Sequence, residues 1–106
     1  MEESDDTLEL GGNIELSGFS KVDRSNMVIV KKIVGSYAKK FYEHGTQTDR
    51  ITVHLKGVHH DQGPGKFEVH AKAVIEGKAV TGETVNNNLF FALDEALKKI
   101  ENQVSK

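Results

Sequence analysis

The sequence predicts an α+β domain of order β-α-β-β-β-α: a four-stranded mixed sheet with two helices packed on one face. Three observations predict it. Short runs such as ITVHLK (51–56) and FEVHAKAVI (67–75) alternate apolar with polar residues, the period of a half-buried strand. Two longer segments repeat their apolar residues at helical spacing. Breakers rich in glycine, asparagine or proline separate these runs.

The elements follow in order. Residues 1–12 read as a disordered acidic tail, because acids followed by Gly11-Gly12 bury too little to offset the entropy of ordering. NIELSG (13–18) opens a single domain over residues 13–106, and Ile14 and Leu16 alternate there with Glu15 and Ser17 in a first strand. Asp23, with Ser25 as a rival, caps a helix running to about Tyr42. Its Met27, Val30, Val34, Tyr37, Ala38 and Phe41 fall within one third of the helical wheel. His44-Gly45 supplies the stop.

Ile51, Val53 and Leu55 mark the second strand, and the loop GVHHDQGPG follows with its breaker Gly63-Pro64-Gly65. Phe67, Val69, Ala71, Ala73 and Ile75 mark the third. Glu76-Gly77 has the length of a two-residue hairpin loop, and a fourth strand runs from Lys78 to about Val85. Asn87 or Asn86 caps the last helix, whose Leu89, Leu93, Ala96, Leu97, Ile100 and Val104 form the buried stripe. The first two strands, joined through a helix, are expected to be parallel neighbours, and the rest an antiparallel meander. Apolar faces can be matched in more than one register; one candidate sets Val53 opposite Ala71, which would put His54 opposite His70 and Lys56 opposite Glu68 on the solvent face.

Charge is distributed unevenly. Residues 1–10 carry five acids and no base, whereas residues 21–40 carry six bases and one acid, Asp23. No apolar run approaches the ~20 residues of a membrane helix. The acidic N-terminus has no secretory pattern and the chain has no cysteine, which fits a cytoplasmic protein.

Chemistry of the catalytic or metal kind finds little support. His59-His60-Asp61 are adjacent residues that converge poorly on one ion, and no spaced partner completes a site for them or for His54 and His70. No nucleophile motif stands out, and neither glycine cluster has the spacing of a phosphate-cradling loop. No enzyme activity, metal, cofactor or small-molecule substrate is expected. The basic segment is the stronger lead. Lys31 and Lys39 lie within about 80° on the wheel, with Arg24 between them, Lys32 nearby, and Lys21 just before the helix. An almost uninterrupted cationic band results, suited to a row of phosphates. The outward strand positions, Glu15, Ser17, Thr52, His54, Lys56, Glu68, His70 and Lys72, include no Phe, Tyr or Trp, so the sheet is not expected to be a base-stacking platform.

The element order, the strand ITVHLK, the hairpin ending in TGETV, the helix opening NNLFFALDEALKKIENQV and the YAKKFYEH ending of the first helix together resemble the ribosome hibernation-promoting factor and ribosome-associated inhibitor A family, also known as sigma-54 modulation proteins. The likeness spans about residues 13–104. It implies a fold related to the double-stranded-RNA-binding domain, and a cytoplasmic, monomeric protein that binds ribosomal RNA of the small subunit and silences idle ribosomes under stress. In the double-stranded-RNA-binding domain itself clustered lysines open the last helix, where Asn86, Asn87 and Asn88 stand here. The resemblance implies that the grip comes instead from helix surfaces: Lys31, Lys32, Lys39 and Lys40 match the family's basic first helix, and Lys98 and Lys99 its second. The alternative is a double-stranded-RNA-binding or protein-interaction domain on the same scaffold with no ribosomal role.

Overall fold

A computed structural model describes residues 7–11, 13–43, 47–59 and 65–104, and of residues 57–59 the backbone alone. In chain order the elements are β1 (Thr7–Leu10), β2 (Ile14–Ser17), α1 (Arg24–Glu43), β3 (Thr48–His59), β4 (Lys66–Ile75), β5 (Lys78–Asn86) and α2 (Leu89–Val104). The strands form one sheet in the order β1-β2-β3-β4-β5. β2 and β3 are parallel and every other neighbouring pair is antiparallel, as the crossover through α1 and the tight hairpins require. The α+β class stands.

The strand count is five rather than four. Thr7–Leu10, assigned above to the tail, pairs antiparallel with β2, setting Leu8 opposite Leu16 and Leu10 opposite Ile14. The alternation in TLEL was masked by the surrounding acids, although it places two leucines on the apolar side of the sheet edge. Gly11, at φ 60°, makes the turn, and the Asn13 amide donates to its carbonyl at 2.8 Å. The tail expectation for residues 1–6 lies outside the described residues, as does the helix stop at His44-Gly45.

The register of β3 against β4 matches the candidate alignment at two of its three positions. Val53 faces Ala71 and His54 faces His70. Lys56 does not face Glu68. A register shift between Leu55 and Gly57 sets Gly57 opposite Glu68, leaving Lys56 as the extra residue of a bulge. β3 also continues through His59, so the first three residues of the expected loop belong to the strand.

The Glu76-Gly77 hairpin has both central residues at positive φ, 52° and 83°, the geometry whose twist matches the flanking strands. α1 starts where Asp23 predicts: the Asp23 carboxylate accepts the Asn26 amide at 2.9 Å. The cap of α2 is Asn88 rather than Asn86 or Asn87. Asn88 Oδ1 accepts the amides of Phe90 and Phe91, at 2.9 and 3.1 Å. Asn86 takes the supporting role, accepting the Asn88 amide at 2.9 Å.

Both helices cover one face of the sheet. Leu16, Val53, Val69 and Ala73 from the strands meet Val30, Val34 and Phe41 of α1 and Leu93, Leu97 and Ile100 of α2 in a closed apolar core. The approach of α2 to β5 depends on Gly82, where a Cβ would sit 2.2 Å from the Ala96 carbonyl oxygen. Only a residue without a side chain fits between that strand and that helix.

Candidate nucleic-acid interface

The buried stripe of α1, Val30, Val34, Tyr37 and Phe41, fixes the direction of every other residue on the helix. Lys32 and Lys39 lie opposite that stripe and are exposed. Arg24 and Lys31 flank it on the side of β1, lining a groove with Thr7, Leu8 and Met27. Lys40 lies on the side of α2, its Nζ 4.6 Å above the centre of the Tyr37 ring, a cation–π contact. Lys21 stands in the turn before α1, on a separate cleft at the end of the sheet. The band is also interrupted: Val28, Ile29 and Tyr42 are exposed large apolar residues on α1. The near-continuous cationic face expected above is therefore an array of cations around apolar side chains.

Lys98 is exposed on the outer side of α2. Lys99 turns the other way, donating to the Glu83 carbonyl of β5 at 2.6 Å. Lys98 is therefore open to solvent while the Lys99 ammonium is held back against β5.

Tyr37 ties the two helices. Its hydroxyl donates to the Asp94 carboxylate at 2.7 Å. Burial first, and then the hydrogen bond and charge of Asp94 with a contribution from Glu101, hold the phenol well above the ordinary tyrosine range. This leaves Asp94 engaged by a neutral donor at the floor of the groove that Lys32 and Lys40 border.

The ion pairs among the described residues are on the other side of the molecule. Arg50 pairs with Glu15, and His70 lies between Glu68 at 2.9 Å and Glu83 at 3.4 Å. His54 shares a hydrogen bond with Ser17 at 2.8 Å. The open face of the sheet carries these partnered groups together with the exposed Lys72, and it presents no Phe, Tyr or Trp among its described strand positions. None of these ion pairs uses a cation of α1. Among the described residues no group of three or more histidine or carboxylate side chains is placed to hold a metal ion. The His59 side chain, His60 and Asp61 lie outside the description.

One feature was illegible in the pattern of the sequence. The bulge in β3 carries Lys56 to the rim of the cleft that Lys21 borders, together with Phe67 and Phe90. The glycine after Lys56 was the available signal, since glycine inside a strand pattern marks bulges.

No helix among the described residues is long and apolar enough to cross a membrane. A search of curated proteins finds no match to the chain. A family model does match, that of the sigma 54 modulation protein / S30EA ribosomal protein, over residues 14–106. The match begins at the first residue of β2 and takes in both helices and the four strands of the meander and crossover, with β1 standing before it. The chain belongs to the sigma 54 modulation protein / S30EA ribosomal protein family.

Proposed function

We propose that this protein binds ribosomal RNA of the small subunit through the outer side of its helix layer and, by occupying that site, holds idle ribosomes silent in the cytoplasm. It acts without catalysis. The observation that carries the reading is the set of exposed cations on α1, Arg24, Lys31, Lys32 and Lys39, none in an ion pair with a described carboxylate, whereas the contacts to carboxylates on the sheet face engage Arg50 and His70. Unpaired surface lysines keep their counterions, and release of those counterions is the main drive of phosphate binding. Membership of a family named for a ribosomal protein directs the search for that polyanion to the ribosome. Lys21, Lys40 and Lys98 extend the contact on either side, and Lys99 contributes least because its ammonium is already bonded.

A second reading, a protein-interaction domain, is favoured by one observation: Val28, Ile29 and Phe91 are 52%, 41% and 64% exposed on the same helix layer. The test separates the two. Purified protein is mixed with isolated small subunits and sedimented through a gradient at low and moderate salt. Co-migration that weakens steeply with salt supports the RNA contact. Co-migration indifferent to salt favours the apolar contact, and no co-migration refutes the ribosomal reading.

A further inference from the structure

The cleft at the end of the sheet shares only Lys21 with the interface above. It holds about 810 Å3 where the turn before α1, the bulged end of β3, the start of β4 and the first turn of α2 meet. Volumes of roughly 300–1,000 Å3 are those of small-molecule sites. Leu55 and Leu89 form a buried floor, and Phe67 and Phe90 are half-buried beside it. Two exposed cations, Lys21 and Lys56, stand at its edge. The one carboxylate present, Asp23, is committed to the Asn26 amide at 2.9 Å.

Three asparagines, Asn26, Asn87 and Asn88, also line it, as do Ser20 and His54. Asn88 spends its oxygen on the cap of α2. The side-chain amides of Asn26 and Asn87 make no hydrogen bond among the described residues, so each offers both a donor and an acceptor. The chemistry is specific in combination. Aromatic rings stack flat heterocycles, paired donors and acceptors match the edge of a base, and lysines at the mouth match the phosphate attached to it. A fatty ligand would leave the amides and cations unused, and an acidic peptide would leave the rings unused.

We propose that this cleft binds one unstacked nucleotide, its base against Phe67 and Phe90, its edge at Asn26 and Asn87, and its phosphates at Lys21 and Lys56. This deepens the RNA-binding reading and rests on it. It gives a protein whose sheet has no stacking platform a single place to hold a splayed-out base, at right angles in function to the shape-reading helix layer.

The test is a titration of the 15N-labelled protein with a single-stranded RNA hexamer, a mononucleotide, inorganic phosphate and a blunt RNA duplex, read at the Asn26 and Asn87 side-chain amides. The hexamer is expected to shift both amides. Shifts with the mononucleotide at equal affinity make the source a free nucleotide, and shifts with the hexamer alone make it a base within a strand. Asn87→Ala and Lys56→Gln, both at exposed positions, should each weaken the hexamer about three- to tenfold and leave duplex binding unchanged. Duplex binding that perturbs α1 while neither hexamer nor mononucleotide moves the cleft amides overturns this site and spares the helix interface. An equal response to phosphate alone also overturns it, since no base is then read. Absence of binding to every RNA removes both.

Discussion

Replacing Lys32 and Lys39 together with glutamine tests the interface at its centre. Both side chains are exposed opposite the buried stripe, and neither is in an ion pair with a described carboxylate, so the double variant should fold with stability within about 0.5 kcal/mol of the parent. The two residues are seven positions apart, about 10 Å along the helix axis. That separation is about one Debye length at 0.1 M salt, so their contributions should add nearly independently. Each phosphate neutralised contributes roughly 0.7–0.9 to the slope of log affinity against log salt, and the double variant should lose about 1.4–1.8 of that slope. Between 50 and 200 mM salt the parent should therefore lose about seven- to twelvefold more affinity than the variant. Fluorescence anisotropy with labelled ribosomal RNA at four or five salt concentrations measures this directly. An unchanged slope in a variant with unchanged melting temperature would refute the assignment of α1 as the phosphate-binding face.

Three further outcomes follow from the same structure. Gly82→Ala forces a Cβ to within 2.2 Å of the Ala96 carbonyl oxygen, so α2 must move off β5, and denaturant unfolding should show a loss of about 1–3 kcal/mol. Stability should fall as pH rises above about 10. The Tyr37 phenol is raised in the folded state, so the unfolded chain ionises first and alkali favours it, and Tyr37→Phe should remove that part of the decline. Deleting residues 1–6, which include Glu2, Glu3, Asp5 and Asp6, should raise RNA affinity at low salt, because the next residues, Thr7 and Leu8, line a groove with Arg24 and Lys31. The deletion must stop there, since removing Thr7–Leu10 would strip an edge strand.

How much of this was legible beforehand depended on whether periodicity or local geometry decided each point. Val53 opposite Ala71 is among the registers that apolar faces permit, because a slip of one residue would turn Ile51, Val53 and Leu55 to solvent, whereas a slip of two would not. The cation array on α1 followed from Val30, Val34, Tyr37 and Phe41. Three consecutive asparagines carry identical capping propensity, so the choice of Asn88 was made by where β5 releases the chain. Lys56 was misplaced because a bulge inserts a residue without changing the alternation on either side of it. Thr7–Leu10 is hard to see in the sequence because its two leucines stand in a stretch dominated by Glu2, Glu3, Asp5, Asp6 and Glu9. Lys99 was read by its helix alone, whereas the carbonyl it bonds belongs to a strand sixteen residues earlier.

The spacing of cations on α1 separates a helix arranged for binding from one arranged for stability. Lys31 and Lys32 are parted from Lys39 and Lys40 by two turns, and the gap between holds Gly35 and Ser36, both exposed. A stabilising surface would put glutamate there, since pairs four residues apart contribute about 0.2–0.5 kcal/mol each. Gly35 even concedes about 0.5–1 kcal/mol of helix propensity, though a Cβ at that site would meet nothing within 4 Å. Small neutral residues at the gap leave the neighbouring ammonium groups unpaired and let a phosphate backbone come close. Ser36→Glu separates the two purposes. It places a carboxylate four residues from both Lys32 and Lys40, so thermal stability should hold or rise by a fraction of a kcal/mol while the salt slope for RNA falls by about 1–2. A variant that is more stable and binds RNA as tightly as the parent would mean that this gap, and the charge around it, serves only the helix.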